Sequence, residues 1–283
     1  MFRDDAPAGL DRLPAAYARL LVRALDVAAA DGRVRAVWLG GSIARGEADA
    51  SSDLDLLLAV ADDAVCDVVE HWSDLIQAIT PTVLSRAMPK VPGASHSLTP
   101  TCERLDVIVE PVRLLPRTRF RTRLCVLDKD ALNGQLPSPV DGPGPDPAAA
   151  TSIVEEFWRQ QALFAVVVAR ADWLLGVEAV VAVRSLLRDL FLEIDKPAPV
   201  RGVKQWSAAL TADQRRVLAG LRTPAAAASD VVSAMRSASE TFREQAPAAL
   251  VAVGGAQPDA LASAITAHLD ARLGEESPTR PHR

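Results

Sequence analysis

Apolar residues in the first half of the chain gather in three short runs with strand character, at 34–39, 54–60 and 104–109. Apolar residues at helical spacing surround these runs, at 10–30 and at 62–78. Short strands that alternate with amphipathic helices pack as layers around one core. This half of the chain is therefore predicted to form a mixed β-sheet flanked by helices.

The second half of the chain has a helical pattern throughout. Its predicted helices cover 151–175, 179–194, 203–210, 212–221, 227–244 and 258–273. Between the halves, residues 135–149 are rich in Pro, Gly and Asp, which is typical of a linker. We expect an α+β protein with an N-terminal domain over 1–134, this linker, a helical bundle over 150–274 that closes a cleft, and a disordered tail over 275–283.

Two stretches of the first half carry weaker patterns. Residues 79–101 are irregular, and they predict a strand at 82–84 and a loop at 88–100. Further on, arginines alternate ahead of an apolar run, which predicts a strand over 117–127 with one basic face. The residues of that face are Arg117, Arg119, Arg121 and Arg123. Such a face is either a phosphate or RNA contact or the solvated side of an edge strand.

Residues with candidate chemistry stand between the first two apolar runs. Gly40, Gly41 and Ser42 interrupt the chain after the first run, and glycine lets a phosphate approach the backbone closely. Asp53 and Asp55 open the second run, where the alternation of a strand points both side chains to one face. Their mutual repulsion would be offset by a divalent cation, and carboxylate oxygens are ligands that Mg²⁺ prefers.

A further carboxylate, Asp106, lies within the third apolar run. A buried carboxylate without a partner is costly, so the simplest prediction is that Asp106 shares the site of Asp53 and Asp55. The alternative is a strand-end residue that is satisfied by a local hydrogen bond. Glu110 would share the face of Asp106 further along a straight strand and is the second candidate for a general base.

The order G-G-S, R-G and S-D-L-D, followed by a carboxylate on another strand, resembles the nucleotidyltransferase superfamily that includes DNA polymerase beta. The form G-G-S-x-A-R-G is most similar to its aminoglycoside and lincosamide antibiotic nucleotidyltransferases. The resemblance implies metal-dependent transfer of a nucleoside monophosphate from a nucleoside triphosphate to a hydroxyl, with release of pyrophosphate. AMP is the expected group, ATP the expected donor, Mg²⁺ the expected cofactor, and a small molecule such as these antibiotics the expected acceptor.

The resemblance also implies roles for individual residues. Asp53, Asp55 and Asp106 would hold the metal, or Asp106 would take the proton from the attacking hydroxyl. The groups expected to bind the triphosphate are Gly40, Gly41, Ser42, Arg45 and Lys204, and Arg201 is a further candidate. Acids on the first two bundle helices would hold a cationic acceptor or be ordinary surface charges, and these are Glu155, Glu156, Asp172, Asp189 and Glu193.

Composition narrows the choice of partner. The net charge of −5 argues mildly against a dedicated nucleic-acid surface and is compatible with a cationic small substrate. Two alternatives stay open: a toxin-like enzyme that modifies tRNA, and a non-catalytic antitoxin or regulatory module. The cysteines have no metal spacing and predict reduced thiols in a cytoplasmic protein. The early acids and the lack of a long uncharged apolar stretch predict neither a signal peptide nor a membrane span. The sequence does not predict the oligomeric state.

Overall fold

The computed structural model describes residues 13–49, 51–89, 91–139, 144–196 and 203–273. The chain divides into two compact units, Met1–Val140 and Asp141–Arg283. The first combines a β-sheet with helices and the second is helical, so the expected α+β class is confirmed. None of the helices that the structure describes is long and apolar enough to cross a membrane.

The described residues of the first unit form a six-stranded sheet with the order β3-β4-β5-β2-β1-β6. The strands are β1 Val34–Leu39, β2 Leu54–Val60, β3 Leu84–Ala87, β4 Ala94–Leu98, β5 Arg104–Pro111 and β6 Leu124–Asp128. The central pair, β2 and β5, is parallel, and the other neighbouring strands pair antiparallel. The sheet is therefore mixed, as the sequence pattern predicts.

Both faces of this sheet are covered. One face packs against α1 (Ala15–Ala30), α3 (Val65–Glu70) and α4 (Trp72–Ile79) through a large apolar cluster. Alternate strand residues such as Leu54 and Leu105 point into this cluster and are fully buried. The other face carries a smaller cluster that includes Trp38, Leu57 and Leu115. Leu115 belongs to a short 3₁₀ helix, Val112–Arg117, and a second one covers Leu132–Gln135.

Two predicted elements of the first unit are wrong in detail. The single helix expected at 62–78 is two helices, because the chain bends at His71, whose backbone (φ −107°, ψ 23°) is not helical. The loop expected at 88–100 contains β4, and β3 extends to Ala87. Strand β4 has few large apolar residues, but it pairs on both sides, and Ser97 lies 2.8 Å from Ser85 between hydroxyl oxygens.

The strand expected at 117–127 is also wrong, because only Leu124–Asp128 is extended. Residues ahead of it form a loop held by side chains: the Thr118 hydroxyl accepts a hydrogen bond from the Phe120 N–H. The four arginines therefore have no common strand face. Arg123 in particular is buried, with its side chain 1% exposed.

A buried ion pair fixes this loop to the sheet. The Arg123 guanidinium donates to the Glu110 carboxylate at 2.8 Å, and the Thr118 hydroxyl donates to the same carboxylate at 2.5 Å. The guanidinium also lies 5.0 Å from the centre of the Trp38 ring. Burial lowers the pKa of Arg123 from its usual value, and the contact with Glu110 opposes that shift.

The second unit is a helical bundle. Its helices are α5 Pro147–Arg170, α6 Trp173–Ile194, α7 Ala212–Gly220, α8 Ala228–Val253 and α9 Asp259–Leu273, with a 3₁₀ helix at Val203–Ala209. Helix α5 begins four residues before the predicted start because the Asp146 side chain accepts a hydrogen bond from the Ala148 N–H and caps it. Helix α6 begins six residues earlier than predicted because Asp172 caps it in the same way.

Helix α8 extends to Val253, well beyond the predicted end at 244, and contains Pro247. The bundle core includes Phe157, Leu187 and Phe242. Part of the predicted linker, residues 140–143, and the predicted tail lie outside the described residues. The exact domain boundaries and the cleft-closing role of the bundle stay predictions.

We predict that Arg123→Met destabilises the protein by about 3 kcal/mol, because it leaves the Glu110 carboxylate buried without its cation. Adding Glu110→Gln should recover part of this loss. The free energy of unfolding, measured by urea titration, tests both. The matched control is Arg113→Met, which removes an exposed arginine paired with Asp62 and should cost less than about 0.5 kcal/mol. Equal losses for Arg113 and Arg123 would contradict a structural role for the buried pair.

Candidate active site

Three carboxylates meet where β2 lies beside β5. The parallel register places Asp55 directly beside Asp106, and Asp53 precedes Asp55 by two residues on the same face. One oxygen from each of Asp53, Asp55 and Asp106 can be chosen so that all three lie within 4.8 Å of one another. Each residue is half-buried. The structure thus brings together the three acids that the sequence assigned to one site.

The apolar residues of both strands enforce this arrangement. Leu54 and Leu56 on β2, with Leu105 and Val107 on β5, are at most 3% exposed and pack into the helix-covered face. A slip by one residue would move every one of these side chains to the other face of the sheet. Burial of the apolar positions therefore holds the acids together on the opposite face.

The glycine turn lies directly against Asp55. The Gly40 N–H donates to the Asp55 carbonyl at 2.9 Å, which continues the pairing of β1 with β2. Gly41 has φ +56°, and a Cβ built there would lie 1.9 Å from Asp55 Oδ2. Because only glycine combines this conformation with so close an approach, Gly41 allows the turn to sit beside a carboxylate.

Ser42 follows in the short helix α2, Gly41–Ala44. Ser42 as a whole is 8% exposed, and its Oγ has no hydrogen-bond partner in the described part of the chain. A buried hydroxyl without a partner is unfavourable, so this group is suited to donate to a bound oxygen. Helix α2 has only four residues, so its dipole adds little; the hydroxyl and the open glycine backbone are the features suited to a phosphate.

Two arginines of this unit differ in their relation to the acids. Arg45, expected at the triphosphate, has a side chain only 16% exposed and pairs with Glu47 at 3.0 Å. Arg104, which the sequence reasoning did not single out, lies 3.9 Å from Asp53 and donates to the Ser51 carbonyl at 2.6 Å. Arg104 is the first residue of the run at 104–109, and no local pattern in the sequence indicates its contact with Asp53.

A second overlooked residue is His96. It lies in register with Asp106 on one side and with Arg86 on the other, so these side chains share the face of the acids. Arg86, His96, Asp106 and Asp55 follow one another across neighbouring strands. The missed strand β4 explains why sequence reasoning overlooked His96, because A-S-H-S-L lacks the apolar alternation that indicates a strand.

Glu110, the second candidate for a general base, does not join this site. Glu110 is four residues beyond Asp106, roughly 13 Å along the strand, and is held by Arg123 and Thr118. Arg201 and the side chain of Lys204 lie outside the described residues.

The acids of the first bundle helices include several with local partners. Asp172 caps α6, Glu156 binds Arg159, and Glu193 binds Lys196. Asp189 pairs with Arg188.

The donor set fits a hard divalent cation. Carboxylate oxygens are the ligands that suit Mg²⁺ and related ions, and a divalent cation would offset the repulsion among three converging negative charges. Asp53, Asp55 and Asp106 could hold the ion, with the glycine turn and Ser42 next to it. Chemically, the arrangement can bind a metal-bound phosphate and stabilise negative charge on it.

Comparison with known proteins agrees with this geometry. Residues 23–83 match the family model described as a nucleotidyltransferase domain. This segment therefore resembles a nucleotidyltransferase domain. The match includes the glycine turn, Asp53 and Asp55, and it confirms the resemblance to this superfamily and the expected enzyme class. The matched segment ends before Asp106, whose place in the site rests on the sheet register.

Among solved structures, this chain is similar to an aminoglycoside 6-adenyltransferase from Bacillus subtilis, with 16% sequence identity and a TM-score of 0.44. The similarity covers 90% of this chain and 96% of that chain. A search of curated proteins finds no match.

We predict that Gly41→Ala weakens divalent-cation binding about tenfold or more, because the new methyl group displaces the Asp55 carboxylate. Binding of Mn²⁺, followed by the paramagnetic resonance signal of the free ion, measures this. Gly46→Ala is the matched control: Gly46 also has a positive φ, +70°, but nothing lies within 4 Å of an added Cβ. Both variants carry a similar backbone strain, so equal Mn²⁺ affinities would show that the approach to Asp55 is unimportant.

Proposed function

We propose that this nucleotidyltransferase moves a nucleoside monophosphate, AMP from ATP in the simplest case, to a hydroxyl of a small molecule in a reaction that requires Mg²⁺. The observation that carries the proposal is the convergence of Asp53, Asp55 and Asp106 within 4.8 Å beside the glycine turn. Exposed acids are common, but these three are half-buried on paired strands whose register is fixed by the core.

The residues of the chain would act mainly by position and charge. Asp53, Asp55 and Asp106 hold the ion, which when bound neutralises charge on the phosphates and on the leaving pyrophosphate. The Ser42 hydroxyl donates to a phosphate oxygen, and the absence of a side chain at Gly41 lets that phosphate approach the backbone. The attacking hydroxyl then meets the α-phosphorus in line.

The acceptor that we propose is a hydroxyl-bearing small molecule, with aminoglycoside and lincosamide antibiotics as the first candidates. The motif resemblance supports this class, and the net charge of −5 is compatible with a cationic acceptor. The alternative tRNA acceptor rested on a basic face formed by four arginines. That face does not form, and Arg123 is buried against Glu110, so the support for RNA is weaker. A cytoplasmic location also stays a prediction.

We expect radiolabel from one of the α-labelled nucleoside triphosphates to reach an antibiotic when the protein, Mg²⁺ and an aminoglycoside and lincosamide panel are combined. Parallel reactions contain total tRNA. Label on tRNA alone would replace the small-molecule proposal by the RNA alternative, and no label on any acceptor would favour a non-catalytic module.

Asp53→Ala should fold normally and lower the transfer rate at least about 10²-fold, because it removes a ligand of the proposed ion. Far-UV circular dichroism and the rate of label transfer measure the two effects. The matched control is Asp63→Ala, which removes an exposed acid at the other end of β2 and should keep full activity. Unchanged turnover in Asp53→Ala would refute the metal assignment.

A separate variant, Asp106→Asn, distinguishes the two roles open to this residue. We assign Asp106 to the ion because its carboxylate lies within reach of both other acids. We therefore expect weaker Mn²⁺ binding together with slower transfer. Slower transfer with unchanged Mn²⁺ affinity would instead identify Asp106 as the general base.

A further inference from the structure

The helical unit contains a cavity of about 430 Å³ between α5, α8 and α9. This volume lies within the usual range for sites that bind small molecules. The cavity is formed by the second unit alone, and neither the nucleotide site nor the proposed reaction uses it. Its apolar lining includes Phe157, Trp158, Phe164 and Met235.

Aromatic rings give this lining a rigid wall. Phe157 stacks on Phe242 with ring centres 4.0 Å apart and planes 2° apart, which fixes the Phe157 ring from one side. Trp158 meets Phe157 edge to face at 5.2 Å and is half-buried. Such rings favour a flat apolar ligand, because offset stacking and edge contacts add to the burial of apolar area.

Two buried polar groups lie among these apolar side chains. Gln161 is 6% exposed and Ser239 is 7% exposed, and both line the cavity. The Ser239 hydroxyl donates to the Gln161 amide oxygen at 2.9 Å. Within the described ranges, the Gln161 amide nitrogen donates only to the Met235 sulfur at 3.7 Å. Because a thioether is a weak acceptor, this buried amide can still donate to a ligand oxygen.

Positive charge borders the cavity. Arg236 and Arg243 also line it, and they lie seven residues apart on α8, so they follow one another along one side of the helix. Both are exposed, and no ion pair joins either one to another residue in the part of the chain that the structure describes. Asp270 on α9 is an acid of the lining. The arginines outnumber this acid, which favours an anionic group on the ligand.

We propose that this cavity is a binding site for a small molecule that combines a flat apolar body with an anionic group. The body packs against Phe157 and Trp158, an oxygen accepts from the Gln161 amide, and the anion pairs with Arg236 or Arg243. This site is independent of nucleotidyl transfer and needs neither metal nor nucleotide.

The probe is 8-anilinonaphthalene-1-sulfonate, which has aromatic rings and one sulfonate, added to the folded full-length protein. We expect saturable binding of one molecule per chain, followed by the increase in probe fluorescence. Binding that does not saturate, or a stoichiometry well above one, would overturn the proposal of a single site.

Two variants locate the probe. Thr266→Trp places a large side chain at the cavity from an exposed position on α9, so it should keep the fold and abolish binding. Arg236→Gln with Arg243→Gln should weaken binding about tenfold, because it removes the partners of the sulfonate. Far-UV circular dichroism checks that each variant is folded.

The matched control is the double variant Arg216→Gln with Arg222→Gln, which makes the same charge change at exposed positions of this unit, with side chains 75% and 65% exposed. It should bind the probe as the unchanged protein does. Equal affinity in folded Thr266→Trp would overturn the site. A loss in Thr266→Trp without any loss in the Arg236 and Arg243 variant would overturn the anionic part of the proposal.

Discussion

The parallel pairing of β2 with β5 is the constraint on which the candidate site depends. It places Asp55 beside Asp106 and Asp53 one strand period away, although like charges on neighbouring strands repel. This repulsion is offset by burial of apolar side chains on the opposite face of the sheet. The side chains buried there in the main core are Leu54, Leu56, Leu105 and Val107. Apolar burial thus holds together acids that would otherwise separate, and a divalent cation would relieve the remaining repulsion.

Strand pairing also determines where the glycine turn lies. Because β1 pairs with β2, the chain leaves β1 immediately above Asp55, and any side chain at Gly41 would meet that carboxylate. The Ser42 hydroxyl, one residue after Gly41, is buried and has no hydrogen-bond partner in the described part of the chain. A buried donor and a crowded carboxylate are both unfavourable for stability alone, and their coincidence at one place is typical of a ligand site.

The sequence predicts those parts of the fold that local periodicity determines. The runs at 34–39 and 54–60 coincide with β1 and β2, because Val, Leu and Trp fill buried strand positions on both faces. Strand β4 was missed because Ser95, His96 and Ser97 are not large apolar residues. The strand is held by hydrogen-bonded pairing with β3 and β5, which the sequence pattern does not show. Because β4 was not predicted, His96 was not identified as a neighbour of Asp106. The two residues are close only because β4 pairs with β5.

The proximity of Asp106 to the other acids was predicted from the cost of burying it alone, not from any local signal. The alternating arginines failed as a strand signal because a local pattern does not show whether a neighbouring strand is present. Alternation indicates a strand only when neighbours are available for pairing. Here Thr118 and Arg123 bind Glu110 instead, and the chain between them leaves the sheet.

The segment that leaves the sheet also covers part of the face that bears the acids. The face that bears the acids is covered further along by Val112–Arg117 and the loop up to Arg123, with Leu115 and Phe120 packed on Trp38 and Leu57. Glu110 is held by Arg123 and Thr118 of this cover, whereas Asp53, Asp55 and Asp106 converge near the start of the two strands. The buried Glu110–Arg123 pair anchors the cover. It thereby separates one sheet face into an apolar part, which this loop covers, and an acidic part near the start of β2 and β5, where we propose that a phosphate and its cation bind.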